Sequence, residues 1–204
     1  MTDPAKQSSP AVVWHDSAVG QAERAAVTGG AGMTVWLTGL SGAGKSTIAV
    51  EVERRLVAGG RAAYVLDGDN LRHGLSADLG FSAADRDENV RRVGEVARFF
   101  ADAGLVAIVA LVSPYRQARD SVRRAHAAAG LGFIEVFVDT AVDECRRRDP
   151  KGLYARAASG ELTGLSGVDD PYEAPVEPEL HLAGGSKSVS ELVGEVLNVI
   201  EHAG

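Results

Sequence analysis

The 204-residue sequence has one cysteine, Cys145. That excludes an internal disulfide and a structural zinc cage built on several thiolates, and it fits a reducing compartment. Long apolar runs are missing as well. The longest, Leu105 to Val112, is eight residues, far short of the roughly 20 that span a bilayer as a helix. The first thirty residues carry Lys6 but no apolar segment, so they do not read as a secretory signal. The expectation is a cytoplasmic protein with no membrane attachment. Surplus positive charge is lacking too: 21 Lys and Arg face 28 Asp and Glu, a formal charge of −7. This argues against a nucleic-acid or membrane-surface binder. An anionic partner has to be met by a locally positive site against the overall field.

What is present is ordinary for a globular chain, with 45% hydrophobic and 24% charged residues. The length predicts one domain with, at most, a lid. Residues 1–31 mix Ser, Pro, Gly and Ala around Val12-Val13-Trp14 and read as a partly ordered N-terminal arm. The domain proper is expected over residues 32–204. Five short runs read as strands: Thr34–Thr38, Ala62–Asp67, Leu105–Val112, Phe133–Val138 and Glu179–Ala183. The middle runs are apolar throughout, as in parallel strands covered on both faces. Helical stripes alternate with them: Ile48, Val52 and Leu56; Val90, Val93, Ala97 and Phe100; residues 115–129; and Leu192, Val196 and Ile200. Ser82 with Asp85, and Ser188 with Glu191, stand at capping-box spacing. Thr140 and Asp143 are expected to open a short helix that Pro150 limits. The fold class is therefore α/β, a three-layer sandwich around a parallel five-stranded sheet. Residues 149–178 break the alternation with Gly and Pro turns around a short helical piece, which is the signature of a lid segment.

The strongest motif is Gly39-Leu40-Ser41-Gly42-Ala43-Gly44-Lys45-Ser46-Thr47. It matches the G-x-x-x-x-G-K-[ST] P-loop and lies between an expected strand and an expected helix, its confirming context. The glycines let backbone N–H groups turn inward around a phosphate, and the following helix adds its N-terminal partial charge. Lys45 then reaches the outer phosphates of ATP, and the Ser46 hydroxyl ligates Mg²⁺. A plain glycine turn does not account for Lys45, one of only four lysines.

No N-K-x-D base-reading motif of a GTPase appears, and no strand ends in the Asp-Glu pair of ATP-driven motors. Instead the second strand ends in Asp67-Gly68-Asp69. Carboxylates there face the crevice where α/β sheets bind ligands. One can serve the Mg²⁺ side; the other can orient or deprotonate an attacking hydroxyl. Spacing alone leaves the assignment open, with Asp67 preferred for the metal and Asp69 for the hydroxyl. Downstream, Arg72 precedes Phe81, and Arg86, Asn89 and Arg92 recur at i, i+3 and i+6 of a helix. Guanidinium groups bind phosphate or sulfate by forked hydrogen bonds, and a neighbouring ring can stack on a base. The acceptor is expected to be small, anionic and to carry a planar ring.

Taken together, Asp67 to Leu75, Asp85 to Arg92, Ser113-Pro114-Tyr115, Phe133 to Asp139 and Asp149-Pro150-Lys151-Gly152-Leu153-Tyr154 resemble the adenylylsulfate kinases, a P-loop kinase family. The resemblance runs from about Val12 to Leu182 and includes the Trp14-His15 arm of bacterial stand-alone forms. It implies transfer of the γ-phosphoryl of MgATP to the 3′-hydroxyl of adenosine 5′-phosphosulfate (APS) in sulfate assimilation. It implies that Arg72, Arg86 and Asn89 hold the acceptor, that Phe81 stacks on its adenine, and that Lys151 reaches it from the lid. It implies a homodimer, and a functional link to ATP sulfurylase, for which this sequence shows no second domain. Ser113 matches a serine proposed in bacterial members to carry a phosphoryl intermediate. Direct in-line transfer suits the loose transition state better, and Ser113 then becomes a cleft residue that bonds a ligand. Two alternatives stay open: another small-molecule P-loop kinase, and a nucleotide-sensing partner subunit of a sulfurylase.

Several residues carry less. Arg146, Arg147 and Arg148 read equally as an ATP clamp, through one of the three, or as a solvated helix face. The acidic stretch from Glu161 to Glu179 reads as a solvated loop, and His126 and His181 have no evident partners. One departure from the family pattern matters: Leu165 stands in the lid where members usually carry a Phe that completes an adenine sandwich. Leucine lacks a π face, which costs on the order of 1 kcal/mol, about fivefold in affinity. Leu165→Phe is therefore expected to lower the acceptor KM in a steady-state kinase assay, with kcat retained.

Overall fold

The computed structural model describes residues 12, 13, 15 and 17–203. Trp14 and most of the preceding arm lie outside the described residues. Five strands, β1 (Met33–Thr38), β2 (Ala63–Asp67), β3 (Val106–Ala110), β4 (Gly132–Asp139) and β5 (Leu180–Ala183), form one sheet in the order β2-β3-β1-β4-β5. Every pairing is parallel. Helices are α1 (Gln21–Thr28), α2 (Lys45–Ala58), α3 (Gly68–Leu71), α4 (Ala83–Asp102), α5 (Arg116–Ala128), α6 (Val142–Arg148), α7 (Leu153–Ala158) and α8 (Val189–Ala203). Among the described residues no helix is long and apolar enough to cross a membrane.

Strand alternation sends the two faces of the sheet into two cores. Val35, Leu37, Ile108, Val136 and Val138 pack with Ile48 and Val52 of α2 and Leu192, Val196 and Ile200 of α8. Trp36, Ala107 and Val109 face the other way, onto Val90, Val93 and Ala97 of α4 and Val122 of α5. The expected stripes are therefore the buried ones, and the three layers follow.

Ends and short elements depart from expectation for local reasons. The apolar run to Val112 leaves the sheet after Ala110, because Ser113 turns the chain with a positive φ of 39°. Helix α1 was not legible: none of its residues is buried, so it has no apolar stripe. It docks by polar contacts instead, Arg24 pairing with Asp102 at 2.6 Å and Gln21 reaching the same carboxylate. Thr140 does not open α6, whose N-cap is Ala141. The Thr140 hydroxyl is buried and donates to the Ala43 carbonyl at 3.0 Å. At α8, Glu191 reaches back to the Ser188 N–H, while Ser188 Oγ accepts from the Glu191 N–H. At α4, Ser82 Oγ accepts from Asp85 N–H, but the shorter Asp85 carboxylate meets only the Ser82 hydroxyl.

Strand order brings the C-terminal ends of β1, β2 and β3 to one edge, and the order in which strands are added reverses beside β1. That edge is where an open α/β sheet takes its ligand. Ile108 sits fully buried in the strand beside β1. Ile108→Ala is expected to lower the unfolding free energy by about 3 kcal/mol, read as a lower urea midpoint with an unchanged slope.

Candidate active site

The loop from β1 to α2 adopts positive φ at Gly39, Gly42 and Gly44. A Cβ at Gly39 would stand 2.5 Å from the Val138 carbonyl oxygen, so both curvature and crowding demand glycine there. The Lys45 side chain is buried and folds back along the loop, donating to the carbonyls of Gly39 and Leu40 at 2.9 and 2.8 Å. Burial, helped by the nearby Lys151 charge, pushes its pKa down to about 8. Gly39, Leu40 and Ala43 shape the loop from behind. Ser41, Gly42, Gly44, Lys45, Ser46 and Thr47 line a cavity of about 700 Å³.

The two carboxylates after β2 are separated by their contacts. Asp67 Oδ2 accepts from the Ser46 hydroxyl at 2.6 Å, and its Oδ1 accepts from the Asp69 N–H at 2.9 Å. Asp69 itself faces the lid, where its Oδ2 accepts from Lys151 Nζ. Ser46 and Asp67 thus present hard oxygens side by side at the mouth of the P-loop, the donor type that Mg²⁺ takes in company with phosphates and water. Among the described residues no three His, Cys, Asp or Glu side chains converge, so such an ion would draw its remaining ligands from phosphate and solvent.

The opposite wall is cationic and aromatic. Arg72 lies over the Phe81 ring at 4.1 Å and donates to the carbonyls of Leu79 and Gly80. Its own burial, and then the Arg86 charge, push its pKa down. Arg86 donates to the Phe81 carbonyl and, across the cleft, to the Gly164 carbonyl of the lid at 2.6 Å. Phe81 is 64% exposed. Asn89 is buried, yet its Oδ1 has no hydrogen-bond partner among the described residues, and it lines the cavity. A buried acceptor left so is costly unless a ligand or water meets it.

Asp69, Arg72, Phe81, Arg86, Asn89, Ser113, Lys151 and Leu165 all line this cavity. Arg92 does not. Six residues past Arg86, its side chain has turned about 120° away from it around the helix. It grips Asp78 with both terminal nitrogens at 2.6 and 2.9 Å, the Leu75 carbonyl and Glu88. The loop carrying Arg72 and Phe81 is thereby pinned to α4. Ser113 is buried with its hydroxyl engaged: it accepts from Trp36 Nε1 at 3.1 Å and donates to Thr38 Oγ1 at 3.0 Å. Among the described residues no carboxylate or imidazole is hydrogen-bonded to it.

Of the three arginines before the lid, Arg146 and Arg147 pair with Asp143 and Glu144 on the surface. Arg148 lines the cavity and reaches the P-loop carbonyls and the Gly184 carbonyl. The acidic stretch is not a loose solvated loop. Asp169 accepts from the N–H groups of Gly164 and Leu165, Glu173 accepts from that of Arg116, and Glu179 pairs with Arg123. His126 is bonded to Thr34 and the Val122 carbonyl, and His181 to Asp139. Three contributors escaped the sequence pattern: Tyr154, whose hydroxyl donates to the Ser41 carbonyl, Arg156 and Ser166, the last two on the cavity wall.

A P-loop on a parallel sheet, facing a second anion-binding wall under a lid, defines a small-molecule kinase. The adenylylsulphate kinase family pattern matches residues 31–183. An adenylyl-sulfate kinase of Aeromonas hydrophila is 50% identical over 190 residues, 93% of this chain and 95% of that protein. The structure of the Mycobacterium tuberculosis APS kinase CysC, in complex with AMPPNP and APS, superposes with a TM-score of 0.81 and 54% identity, covering 83% of this chain and 98% of that one. The bifunctional enzyme CysN/CysC of Mycobacterium tuberculosis is 50% identical over 199 residues; these are 98% of this chain but 32% of that enzyme. The chain belongs to the adenylylsulphate kinase family.

If Arg92 acts by pinning the acceptor loop, Arg92→Ala and Asp78→Ala should each raise the acceptor KM by about threefold, and the double variant no further. Steady-state kinetics on the three proteins checks this; additive effects point to direct contact by Arg92.

Proposed function

We propose that this enzyme places the two substrates on opposite walls of the one cavity, ATP along the P-loop and APS against α4 and the lid. The observation that carries the placement is chemical: Lys45, Ser46 and Asp67 stand on one side, and the Arg72, Phe81 and Arg86 group with the unpartnered Asn89 on the other. Ser46 and Asp67 would hold Mg²⁺, which supplies charge neutralisation on the transferred phosphoryl. Lys45 leaves the Gly39 and Leu40 carbonyls for the outer phosphates, whose negative charge offsets the downward pull of burial on its pKa. Arg148 caps the donor side.

Arg72 and Arg86 take the sulfate and phosphate oxygens by forked hydrogen bonds. Phe81 offers its face to the adenine, Leu165 covers it from the lid, and Asn89 Oδ1 accepts a hydrogen bond from the acceptor. Asp69 orients the 3′-hydroxyl and takes its proton as the phosphoryl passes in line. Lys151, now paired with Asp69, turns to the acceptor or to the moving charge. Ser113 is assigned to the cleft floor and not to a covalent relay, in keeping with its two engaged hydrogen bonds.

The proposal extends to a cytoplasmic homodimer, for which the family resemblance is the support. A solved relative, the APS kinase from Thiobacillus denitrificans, is hexameric and 39% identical. Coupling to ATP sulfurylase is supported by the bifunctional relatives, in which the matching segment is one part of a longer chain.

A coupled ADP-release assay comparing APS with AMP, adenosine and gluconate tests the function. Turnover is expected with APS far above the others, and equal rates on AMP overturn the reading. Lys45→Ala and Asp69→Asn are each expected to lower kcat by about 100-fold or more.

A further inference from the structure

Below the cleft lies the one ion pair among the described residues with both side chains buried, Arg119 of α5 with Glu135 of β4, at 2.7 Å. Such a pair adds little net stability over apolar side chains of similar volume. What it contributes here is directional. Arg119 Nε donates to Glu135, Nη1 to the Ser113 carbonyl and Nη2 to the Glu173 carbonyl, each at 2.7 Å. Three acceptors from three segments, one strand, the floor of the cleft and the exit of the lid, are held in the plane of one guanidinium.

Ser113 needs such a hold. Its φ of 39° is unfavourable for a residue with a side chain, and such a conformation persists only where the surroundings over-determine it. Trp36 and Thr38 fix its hydroxyl from one side; Arg119 fixes its carbonyl from the other. The lid exit is stitched to the same place. Glu173 N–H donates to the Pro114 carbonyl at 2.8 Å, its carboxylate accepts from Arg116 N–H at 2.8 Å, and the Tyr172 hydroxyl meets Thr38 Oγ1 at 3.0 Å. At the other end of the lid, Gly152, Gly160 and Gly164 have positive φ and open space where a Cβ would stand. The exit end of the lid is thus held at several points on the cleft floor.

We propose that Arg119 is a positioning residue for acceptor use: it ties the lid exit to the Ser113 backbone, so that lid closure and the shape of the acceptor floor are set together. This rests on reading the α4 wall as the acceptor side. The test compares the full-length enzyme with Arg119→Met/Glu135→Met, which removes both charges at similar volume and leaves Arg123 paired with Glu179. The thermal midpoint is expected to fall by several degrees, since the Ser113 and Glu173 carbonyls lose their donor, and the KM for ATP to stay near the wild-type value, while the KM for APS rises about tenfold, the worth of one or two charge-assisted hydrogen bonds. Hydrogen exchange in residues 159–170 should slow on addition of APS with ADP in the wild type and not in the variant. Arg119→Lys, which keeps the charge but cannot span three acceptors, should show the same split and covers the case in which the double variant does not fold. Unchanged KM values, a parallel rise in both, or lid protection that survives in the variant overturns the proposal. Wild-type enzyme that turns over APS while the variants match it sinks this inference alone; wild-type enzyme inert towards APS sinks the functional reading with it.

Discussion

Two polyanions have to be brought into contact inside a chain that is itself negatively charged, and the structure answers with cations held ready on weak partners. Lys45 rests on two P-loop carbonyls, Arg72 on those of Leu79 and Gly80, Arg86 on those of Phe81 and Gly164, and Arg148 on those of Gly42, Ala43 and Gly184. Carboxylates meet three of the cleft cations as well: Asp69 meets Lys151, Glu144 meets Arg148 at 2.7 Å, and Asp170 stands 3.7 Å from Arg86. A carbonyl satisfies a guanidinium's geometry without neutralising it. The loops that carry the cations are thereby ordered before any substrate arrives. Part of the ordering entropy is met during folding, which leaves more of the interaction energy for binding.

The sheet makes this arrangement possible. Parallel strands deliver the P-loop, Asp67 and Ser113 to one edge from β1, β2 and β3. Helix α4 then supplies the second wall, because its buried stripe of Val90, Val93 and Ala97 packs on the sheet and turns Arg86 and Asn89 towards the same edge. On the proposed reading the donor wall is the P-loop with its buried lysine, and the acceptor wall is long side chains from α4 and the loop pinned to it. Fold and chemistry meet at Asn89, a helix residue inside the buried surface whose amide oxygen has no partner among the described residues.

Much of this was legible in the sequence, and the unread part has a common physical origin. The parallel strands, the four helical stripes and the P-loop depend on local periodicity or on a short contiguous motif. Helix α1 could not be read because its docking is polar and long-range, through Asp102 some eighty residues away. Arg92 looked like a neighbour of Arg86 and Asn89 by spacing. What decided its direction was Asp78, an acid in the preceding loop whose position no periodicity reveals. The two carboxylates of Asp67-Gly68-Asp69 were interchangeable on paper; their contacts with Ser46 and Lys151 distinguish them only in three dimensions. Acids of the lid passed for solvent-facing charge because their partners are backbone N–H groups, which a sequence does not display.

The Tyr154 hydroxyl, seated on the Ser41 carbonyl, joins the base of the lid to the nucleotide loop, and the side chain of Leu40 fills the space beside Gly167. The two halves of the cleft consequently differ in how they are held. The half beside the P-loop is tied to the lid through Tyr154 and Leu40. The half beyond it is covered by lid residues that meet α4 through the Arg86 bond to the Gly164 carbonyl. A displacement of the lid base is therefore passed directly to the P-loop backbone, without crossing the rest of the cleft.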